Sequence, residues 1–381
     1  MATHPTSGDD DYEEEYSSYN SSYNDSYNYE VMFHVHRLRP HTVAILTAIF
    51  AVCVALSCVG NFVVICVMSC GKKRNKPFNS LLLNLAISDW SLGLLCLPFL
   101  FAYTMMSPEW IFGEALCVII PFAQKTAQIV SIFTVVVIGV DRCRVVLFPL
   151  RPKLTGKHKL IIIIVIWIVA ISLSSPKIAY YHYFHIPALG MGTIYICNER
   201  WPDGHSEIYV WMMFVLTYVI PFIILCLCYF MVALKLLFRT MPGQVDSRRM
   251  QAQQAANRKA VRTLVSLVIL FGVCWLPLHI YNIFLITYNP EYLRTHQDAT
   301  KISRASIYIW LIFADTVFNP IVYIFMSDKF RKDVRRLTYR TKRALGMQAD
   351  GYTETSNATS FTSDGERKRP SSGNYVNMRT L

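Results

Sequence analysis

The stretch VAILTAIFAVCVALSCVGNFVVICVM, residues 43–68, decides the fold of this chain. It contains no charged residue over more than the roughly 20 positions that a helix needs to cross the hydrocarbon core of a bilayer. A second stretch, residues 161–171, is apolar on every face, which is typical of a helix in contact with lipid or with other membrane helices. Because the 381 residues are 53% hydrophobic and only 16% charged, we expect an integral membrane protein.

Seven such segments follow one another along the chain. Each must satisfy its own backbone hydrogen bonds in lipid, so a helix is the only reasonable conformation. The sequence therefore predicts an all-α fold, a seven-transmembrane helix bundle over residues 42–326. Disordered tails are expected at 1–41 and 341–381. The spans, numbered one to seven in chain order, are predicted at residues 42–70, 78–106, 114–146, 158–178, 207–238, 256–287 and 303–326.

The net charge of +12 is distributed in alternate short loops. The positive-inside rule assigns these loops to the cytoplasm, which places the N-terminus outside the cell and the C-terminus inside. We therefore expect a multi-pass protein of the plasma membrane, surrounded by membrane lipids, and no nucleic-acid partner. The four basic groups lie at residues 72–76, 142–159, 248–262 and 329–336.

The N-terminal tail alternates acidic residues with tyrosines between Asp9 and Glu30. Such a segment cannot bury enough apolar area to fold. Asn20 and Asn24 each begin an Asn-X-Ser sequence and are expected glycosylation sites on the outer side. Two interpretations of the tail stay open: a solubilising segment, or an electrostatic funnel for a basic ligand that includes sulfated tyrosines.

Two of the eleven cysteines differ from the others, most of which lie within spans. Cys117 opens span three, and Cys197 lies in the extracellular loop between spans four and five. Both would meet an oxidising compartment, so we expect a disulfide bond that ties this loop over the bundle. Two free exposed thiols are the alternative.

Polar residues inside the spans are the most informative, because they are costly in lipid and usually functional. In chain order, the motifs are Gly60-Asn61, Leu83-Asn84-Leu85-Ala86, Asp89, Trp110-Ile111-Phe112-Gly113, Cys117, Asp141-Arg142-Cys143, Trp167, Pro221, Tyr229, Phe271, Cys274-Trp275-Leu276-Pro277 and Asn319-Pro320-Ile321-Val322-Tyr323. Together, over about residues 40–335, they resemble the rhodopsin-like (class A) G-protein-coupled receptors. The resemblance also implies a short amphipathic eighth helix at residues 327–340.

The resemblance implies roles for an activation switch. Arg142 would pair with Asp141 at rest and meet a heterotrimeric G protein when released. Pro277 removes a backbone hydrogen bond and would give span six a hinge. Trp275 would lie at the pocket floor and bias that hinge, although core packing is the better interpretation for such a residue alone. The remaining switch residues implied are Tyr229, Phe271, Asn319, Pro320 and Tyr323.

The resemblance also implies a central polar cluster of Asp89, Asn61, Ser131 and Asn319 that holds a sodium ion. Oxygen ligands in a dry bundle suit a small hard cation. Asp315 departs from the family, which usually has a neutral side chain there. Two carboxylates close together favour protonation of one of them, so Asp315 would act instead as a hydrogen-bond donor between helices. We expect no other cofactor.

Residues that face the pocket distinguish the ligand classes of this family. Amine receptors carry a carboxylate at the position of Gln124, and opsins carry a lysine at the position of Phe313, so neither class is expected. Residues 96–117 resemble neuropeptide Y receptors, and the segments around Ser131 and Trp275 resemble the related prolactin-releasing-peptide and RFamide receptors. The resemblance therefore implies an amidated neuropeptide as the ligand, and a loop hairpin over the pocket within residues 177–207.

The implied pocket uses amide side chains to hydrogen-bond an amidated peptide end. Glu199 and Glu207 are candidate partners for a ligand arginine, as charge-assisted pairs. Ile286 stands where neuropeptide Y receptors carry the acid for that arginine, which leaves the particular peptide open. Lys125 would pair with Glu207 or with an acidic ligand group, or else extend outward. The candidate ligand-binding residues are Tyr103, Gln124, Gln128, Glu199, Glu207, His279 and Asn282.

The C-terminal tail is rich in hydroxyl side chains between Thr353 and Ser363. Phosphorylation by receptor kinases would add dense negative charge that suits arrestin docking, and an unmodified linker is the alternative. We do not expect an enzyme, since a membrane hydrolase would need paired catalytic carboxylates or metal-spaced histidines. A class A receptor for a non-peptide ligand, a scavenging receptor and a membrane transporter stay as alternatives, although the chain lacks the repeated halves typical of a transporter.

Overall fold

A computed structural model gives the fold of the chain in the parts that it describes. Four of the described helices are long and apolar enough to cross a bilayer, and they cover Pro40–Ser69, Ser80–Met105, Gly156–Tyr180 and His205–Lys235. The residues described are 39–70, 77–105, 109–148, 150–152, 154–188, 192–237, 265, 268–269, 271–287, 297–311, 316–321, 331, 334–335 and 337–339.

The helices follow the predicted spans. Described boundaries of the first five spans differ from the predicted ones by one or two residues at most. The helical segments are Pro40–Cys70 in span one; Pro77–Ser91 and Leu97–Met105 in span two; Glu114–Leu147 in span three; Gly156–Ser174 and Pro176–Tyr180 in span four; His205–Phe214 and Ile220–Leu237 in span five; Phe271–Thr287 in span six; and Gln297–Leu311 with residues 316–321 in span seven.

Span seven starts earlier than the sequence suggested. We expected it to begin at residue 303, whereas the helix begins at Gln297. Toward its N-terminal end, the apolar run of span seven is interrupted by Arg304 and Lys301, which is why the sequence placed the start there. A helix needs apolar residues only within the hydrocarbon layer, however, and it can extend beyond that layer. The predicted start of span six at residue 256, both tails and most of the predicted eighth helix lie outside the described residues. Positions 331, 334, 335 and 337–339 of that eighth helix are helical.

Each of two spans contains a π-helical turn just before a proline. In span two, the Leu97 N–H donates to the Leu92 carbonyl, five residues back, immediately before Pro98. In span five, the turn Val215–Val219 precedes Pro221 in the same way. A proline cannot donate to the carbonyl four residues back, and the wider turn accommodates its ring without ending the helix.

Polar side chains and glycines hold the spans together. The Asn84 Nδ2 donates to Thr134 Oγ1 at 2.8 Å, and Trp167 Nε1 donates to Asn84 Oδ1 at 2.9 Å, so that spans two, three and four meet at one side chain. A Cβ atom added at Gly139 would lie 2.5 Å from Leu225 Cδ2. Span three therefore approaches span five closely because residue 139 has no side chain.

The fourth span has one face toward lipid and another toward the bundle. Ile164, Ile168 and Ile171 are each about half exposed, whereas Ile166 and Ala170 are buried. The exposed positions recur every three or four residues, as on one face of an α-helix. A segment that is apolar all round therefore fits both environments.

The loop between spans four and five contains a two-stranded antiparallel sheet. Strand β1 (Tyr181–Ala188) pairs with β2 (Gly192–Glu199), with Tyr183 opposite Cys197. Cys197 is disulfide-bonded to Cys117 at the start of span three, with a Cα–Cα distance of 5.6 Å. The predicted disulfide and hairpin are thus confirmed. We call the end of the bundle that carries this hairpin the outer end.

Candidate functional site

Trp110 connects the outer end of span two to the hairpin. Its indole Nε1 donates to the Gly113 carbonyl at 2.8 Å, and its backbone N–H donates to the Tyr195 carbonyl at 2.7 Å. The ring, which is 1% exposed, packs edge-on against Tyr103 and Phe112 at centroid distances of 5.3 and 5.1 Å. Gly113 has φ 82°, a conformation that favours glycine. The loop therefore holds the hairpin against the outer end of span two.

Glu199, at the end of β2, already has a cationic partner. Its carboxylate forms an ion pair with Lys177 and accepts a hydrogen bond from Trp201 Nε1 at 3.2 Å. The Lys177 ammonium also lies over the rings of Tyr181, Trp201 and Tyr209, at 5.3, 5.8 and 5.4 Å from their centroids. A ligand arginine that binds Glu199 would therefore have to displace Lys177, and this role of Glu199 stays a prediction.

The other predicted pocket residues lie at different depths. Gln124 on span three and Asn282 on span six are half-buried, whereas Gln128 is 4% exposed and lies one turn deeper than Gln124. Glu207 is exposed in the first turn of span five. Two amide side chains are thus accessible from opposite spans, and their contact with a ligand stays a prediction.

His279 packs deep between spans five and six. It is 3% exposed, and its Nε2 lies 3.5 Å from Thr217 Oγ1. Its ring centroid lies 5.5 Å from that of Phe214 and 5.4 Å from that of Tyr218. These contacts fix its orientation toward span five.

Sequence reasoning did not single out Arg304, on span seven. Its guanidinium interacts electrostatically with the hydroxyls of Tyr181, Tyr281 and Tyr308, and with that of Tyr103. One signal was available, because Arg304 is a charged residue near the start of a predicted span and four positions before Tyr308 on the same helix face.

At the opposite end of the bundle, Asp141 has two cationic neighbours. Arg142 Nη2 lies 3.6 Å from Asp141 Oδ2, and Lys159 Nζ, from span four, lies 3.0 Å from the same oxygen. Lys159 is only 2% exposed, although in the sequence it was counted with the basic loop residues. Tyr229 is 38% exposed on span five, and Tyr323 lies outside the described residues.

The predicted hinge of span six is surrounded by buried aromatic rings. Phe271 and Trp275 are 3% and 4% exposed, with ring centroids 6.5 Å apart. Pro277 cannot donate a backbone hydrogen bond, so the Val273 carbonyl, four residues back, loses its usual helical donor. Trp310 Nε1 on span seven donates to the Cys274 carbonyl at 3.0 Å. Spans six and seven are therefore coupled at the proline.

The predicted central cluster is partly assembled. Asn319 Nδ2 on span seven donates to Asp89 Oδ2 on span two at 2.7 Å, and Asp89 and Ser131 are fully buried. On span one, the buried oxygens Asn61 Oδ1 and Ser57 Oγ have no hydrogen-bond partner among the described residues. A set of side-chain oxygens in a buried site fits the chemistry of a hard cation such as sodium.

Asp315, the acid that departed from the family pattern, lies outside the described residues. Pro320 is described, and it packs against Gly60, where an added Cβ would lie 3.1 Å from Pro320 Cγ. The last described turns of span seven therefore lie directly against span one.

Comparison with known proteins gives a receptor family and several receptors as relatives. The profile of a family described as "7 transmembrane receptor (rhodopsin family)" matches residues 60–323. The chain is 31% identical over 299 residues to the neuromedin-K receptor of Cavia porcellus, covering 78% of this chain and 66% of that protein. It is 30% identical over 319 residues to the neuropeptide Y receptor type 6 of Mus musculus, covering 81% of this chain and 84% of that protein.

A more distant relative comes from an insect. The tachykinin-like peptides receptor 99D of Drosophila melanogaster is 28% identical over 278 residues, covering 71% of this chain and 52% of that protein. The chain thus spans about two thirds of the guinea-pig receptor and about half of the fly receptor.

The matched region covers every span, from the Gly60 motif of span one to the Tyr323 motif of span seven. It confirms the expected seven-helix architecture and the expectation that the chain is a receptor and not an enzyme. The chain belongs to the rhodopsin family of seven-transmembrane receptors, which are multi-pass proteins of the plasma membrane.

Proposed function

We propose that this receptor binds an amidated neuropeptide of the neuropeptide Y or RFamide type and promotes nucleotide exchange on a heterotrimeric G protein. The observation that carries the proposal is the hairpin at the outer end of the bundle, which the disulfide bond fixes to span three. A hairpin that is fixed before binding can hold the end of a peptide at low entropic cost. The relatives, which include a neuropeptide Y receptor and a tachykinin-like peptides receptor, support a peptide ligand.

The amide side chains of Gln124 and Asn282 support an amidated peptide end. Both are half-buried, on spans three and six. An amide group both donates and accepts hydrogen bonds, so it matches a terminal carboxamide without a change of charge. We propose that these two residues orient the end of the peptide.

The charged end of span three supports coupling to a G protein. Arg142 is partly exposed beside Asp141, at the end of the bundle opposite the pocket. In our proposal, ligand contact near Trp275 biases the Pro277 hinge, and Arg142 then leaves Asp141 to meet the G protein. In this proposal span six has two conformations, and a ligand shifts the receptor toward one of them by binding it more tightly than the other.

Further parts of the proposal concern the ends of the chain and the central cluster. The N-terminus would be extracellular, with glycans on Asn20 and Asn24, and the cytoplasmic C-terminal tail would bind arrestin after phosphorylation by receptor kinases. A sodium ion at Asp89, with Ser131 and Asn319, would stabilise the resting state.

The proposal is tested by screening cells that express the full chain against amidated neuropeptides, with calcium and cyclic AMP as readouts. We expect Gln124→Ala to weaken the response to the activating peptide at unchanged surface expression. Ile119→Ala, on the exposed face of the same helix, is the matched control and should respond normally. Arg142→Ala should bind the peptide without signalling. Silence toward all peptides together with a response to a lipid or a nucleotide would overturn the proposed ligand class.

A further inference from the structure

Two basic side chains lie within the outer half of the bundle. Lys125 is eight residues beyond Cys117 on span three, about 12 Å along the helix at 1.5 Å per residue. Arg304 lies in the described outer segment of span seven. Both are half-buried. Charged side chains at such positions are costly and typically mark a ligand site or an ion pair.

Lys125 points into the bundle. It interacts electrostatically with Lys177 and Glu199 beneath the hairpin, and with His279 on span six. A side chain that extended outward into lipid would not lie near both the hairpin and span six. Its ammonium group therefore contributes positive charge toward the hairpin and span six.

Arg304 is surrounded by neutral hydroxyls. The four tyrosines with which it interacts come from span two, β1, span six and span seven. The Tyr281 hydroxyl lies beside the guanidinium, but it is buried and makes no hydrogen bond of good geometry with any residue that the structure describes. Tyrosine hydroxyls orient a guanidinium without neutralising it, and an anion placed here would accept hydrogen bonds from both groups.

The carboxylate of Glu199 does not balance these charges. It interacts through space with Lys125 and Tyr308 but is bound to Lys177. Of the three cations Lys125, Lys177 and Arg304, Lys177 is thus the one that pairs with Glu199. A ligand that displaces water from such a site must bring negative charge of its own, because a desolvated cation without an anionic partner is strongly unfavourable.

We infer that the pocket recognises a carboxylate of the ligand, held by the Arg304 guanidinium and the Tyr281 hydroxyl, with Lys125 adding to the positive potential. This inference rests on the proposed peptide-receptor function and names the ligand chemistry of the same pocket. The carboxylate comes from an acidic side chain of an amidated peptide or from a free peptide C-terminus. In the first case Gln124 and Arg304 bind different groups of one peptide.

The experiment has two arms, both on the full-length receptor. In the first, each peptide that activates the receptor is synthesised as the amide and as the free acid, and with each Asp or Glu replaced by Asn or Gln. We expect one of these carboxylates to be required, with a loss of about 10- to 100-fold in potency when it becomes an amide, as for a lost charge-assisted hydrogen bond. The position of that carboxylate tells a terminal from a side-chain source.

Receptor variants then locate the partner of that carboxylate. Arg304→Gln should lower the potency of the acidic peptide by about the same factor. With the peptide whose carboxylate has been replaced by an amide, Arg304→Gln should cause little further loss, because both changes remove the same contact. Arg304→Lys should keep part of the response, and Lys125→Gln should give a smaller loss. Arg39→Gln, which removes an exposed cation before span one, is the control and should change nothing.

The second arm does not depend on a peptide agonist. N-acetylglutamate at about 20 mM should raise the melting temperature of the purified receptor above that with N-acetylglutamine at equal ionic strength, and Arg304→Gln should remove the difference. Carboxylate binding without any peptide response would keep the carboxylate site and reject the peptide ligand. A peptide response that tolerates replacement of every carboxylate would keep the peptide ligand and overturn the carboxylate site.

The acidic N-terminal tail is a competing source of carboxylates. A receptor without residues 1–30 should still lose potency on Arg304→Gln if the carboxylate belongs to the ligand. If Arg304→Gln had no effect in the shortened receptor, the guanidinium of Arg304 would bind a carboxylate of the tail and not of the ligand. That result would overturn the inference.

Discussion

Replacing Lys159 by methionine is expected to lower basal signalling of the receptor. Lys159 Nζ lies 3.0 Å from Asp141 Oδ2, closer than Arg142 Nη2 at 3.6 Å, and the lysine is almost fully buried. In the proposed active state Arg142 moves away, and Lys159 stays beside the carboxylate. The lysine therefore stabilises the active state more than the resting state, in which Arg142 also compensates the charge of Asp141.

The size of the effect follows from the geometry of the Lys159–Asp141 pair. At an effective dielectric constant of about 20, two unit charges 3.0 Å apart attract by about 5.5 kcal/mol, which is an upper bound. Removing one partner of a buried pair costs about 3–5 kcal/mol when nothing else compensates. Because Arg142 compensates in the resting state, we take about half of the lower figure as the difference between states, or about 1.5 kcal/mol. Basal activity should then fall about tenfold.

The assay is basal guanine-nucleotide exchange in membranes that contain equal amounts of surface-labelled receptor. Lys159→Arg should keep most of the activity, because it restores a cation at the same place. Lys157→Met removes an exposed lysine two positions earlier in the same helix and should have no effect. Unchanged or increased basal exchange in Lys159→Met, with the control behaving normally, would refute the reasoning.

Three further predictions concern stability. Asn84→Leu removes two hydrogen bonds between spans, each worth about 0.6–1.7 kcal/mol in a membrane protein. It should lower the melting temperature of the purified receptor by several degrees, and an unchanged melting curve would contradict this. Gly139→Ala inserts a methyl group where span three touches span five and should destabilise the receptor by about 1–3 kcal/mol, measured as lost surface expression. The control is Gly156→Ala, which adds a methyl group in open space and should be neutral. Cys197→Ser should cost about 2–5 kcal/mol and match Cys117→Ser in a thermal melt, and a double variant less stable than either single one would argue against their bond.

The helices could be predicted well from the sequence because the bilayer sets their length. A run of about 20 apolar residues in lipid has one satisfactory backbone conformation, and the boundaries of the first five spans follow from the runs to within two residues. The start of span seven at Gln297 was missed because nothing apolar marks a helix that continues into water.

The partners of charged residues could not be predicted from the sequence in the same way. Lys159 lies 18 positions after Asp141 and looks like any basic loop residue until spans three and four are packed side by side. Arg304 likewise depends on tyrosines contributed by three other parts of the chain. The order of motifs along the chain identifies the family, whereas pairings between spans need the distances across the bundle.

The π-helical turns before Pro98 and Pro221 separate each of these two spans into halves whose side chains are out of step. Each turn contains one residue more than a continuous α-helix would, so the outer side chains are displaced by one position, or about 100° on a helical wheel. During evolution, gain or loss of a single residue in such a turn would exchange the side chains presented to a ligand while the inner half kept its packing. Ligand preference can therefore diverge between related receptors without disturbing the part that meets the transducer.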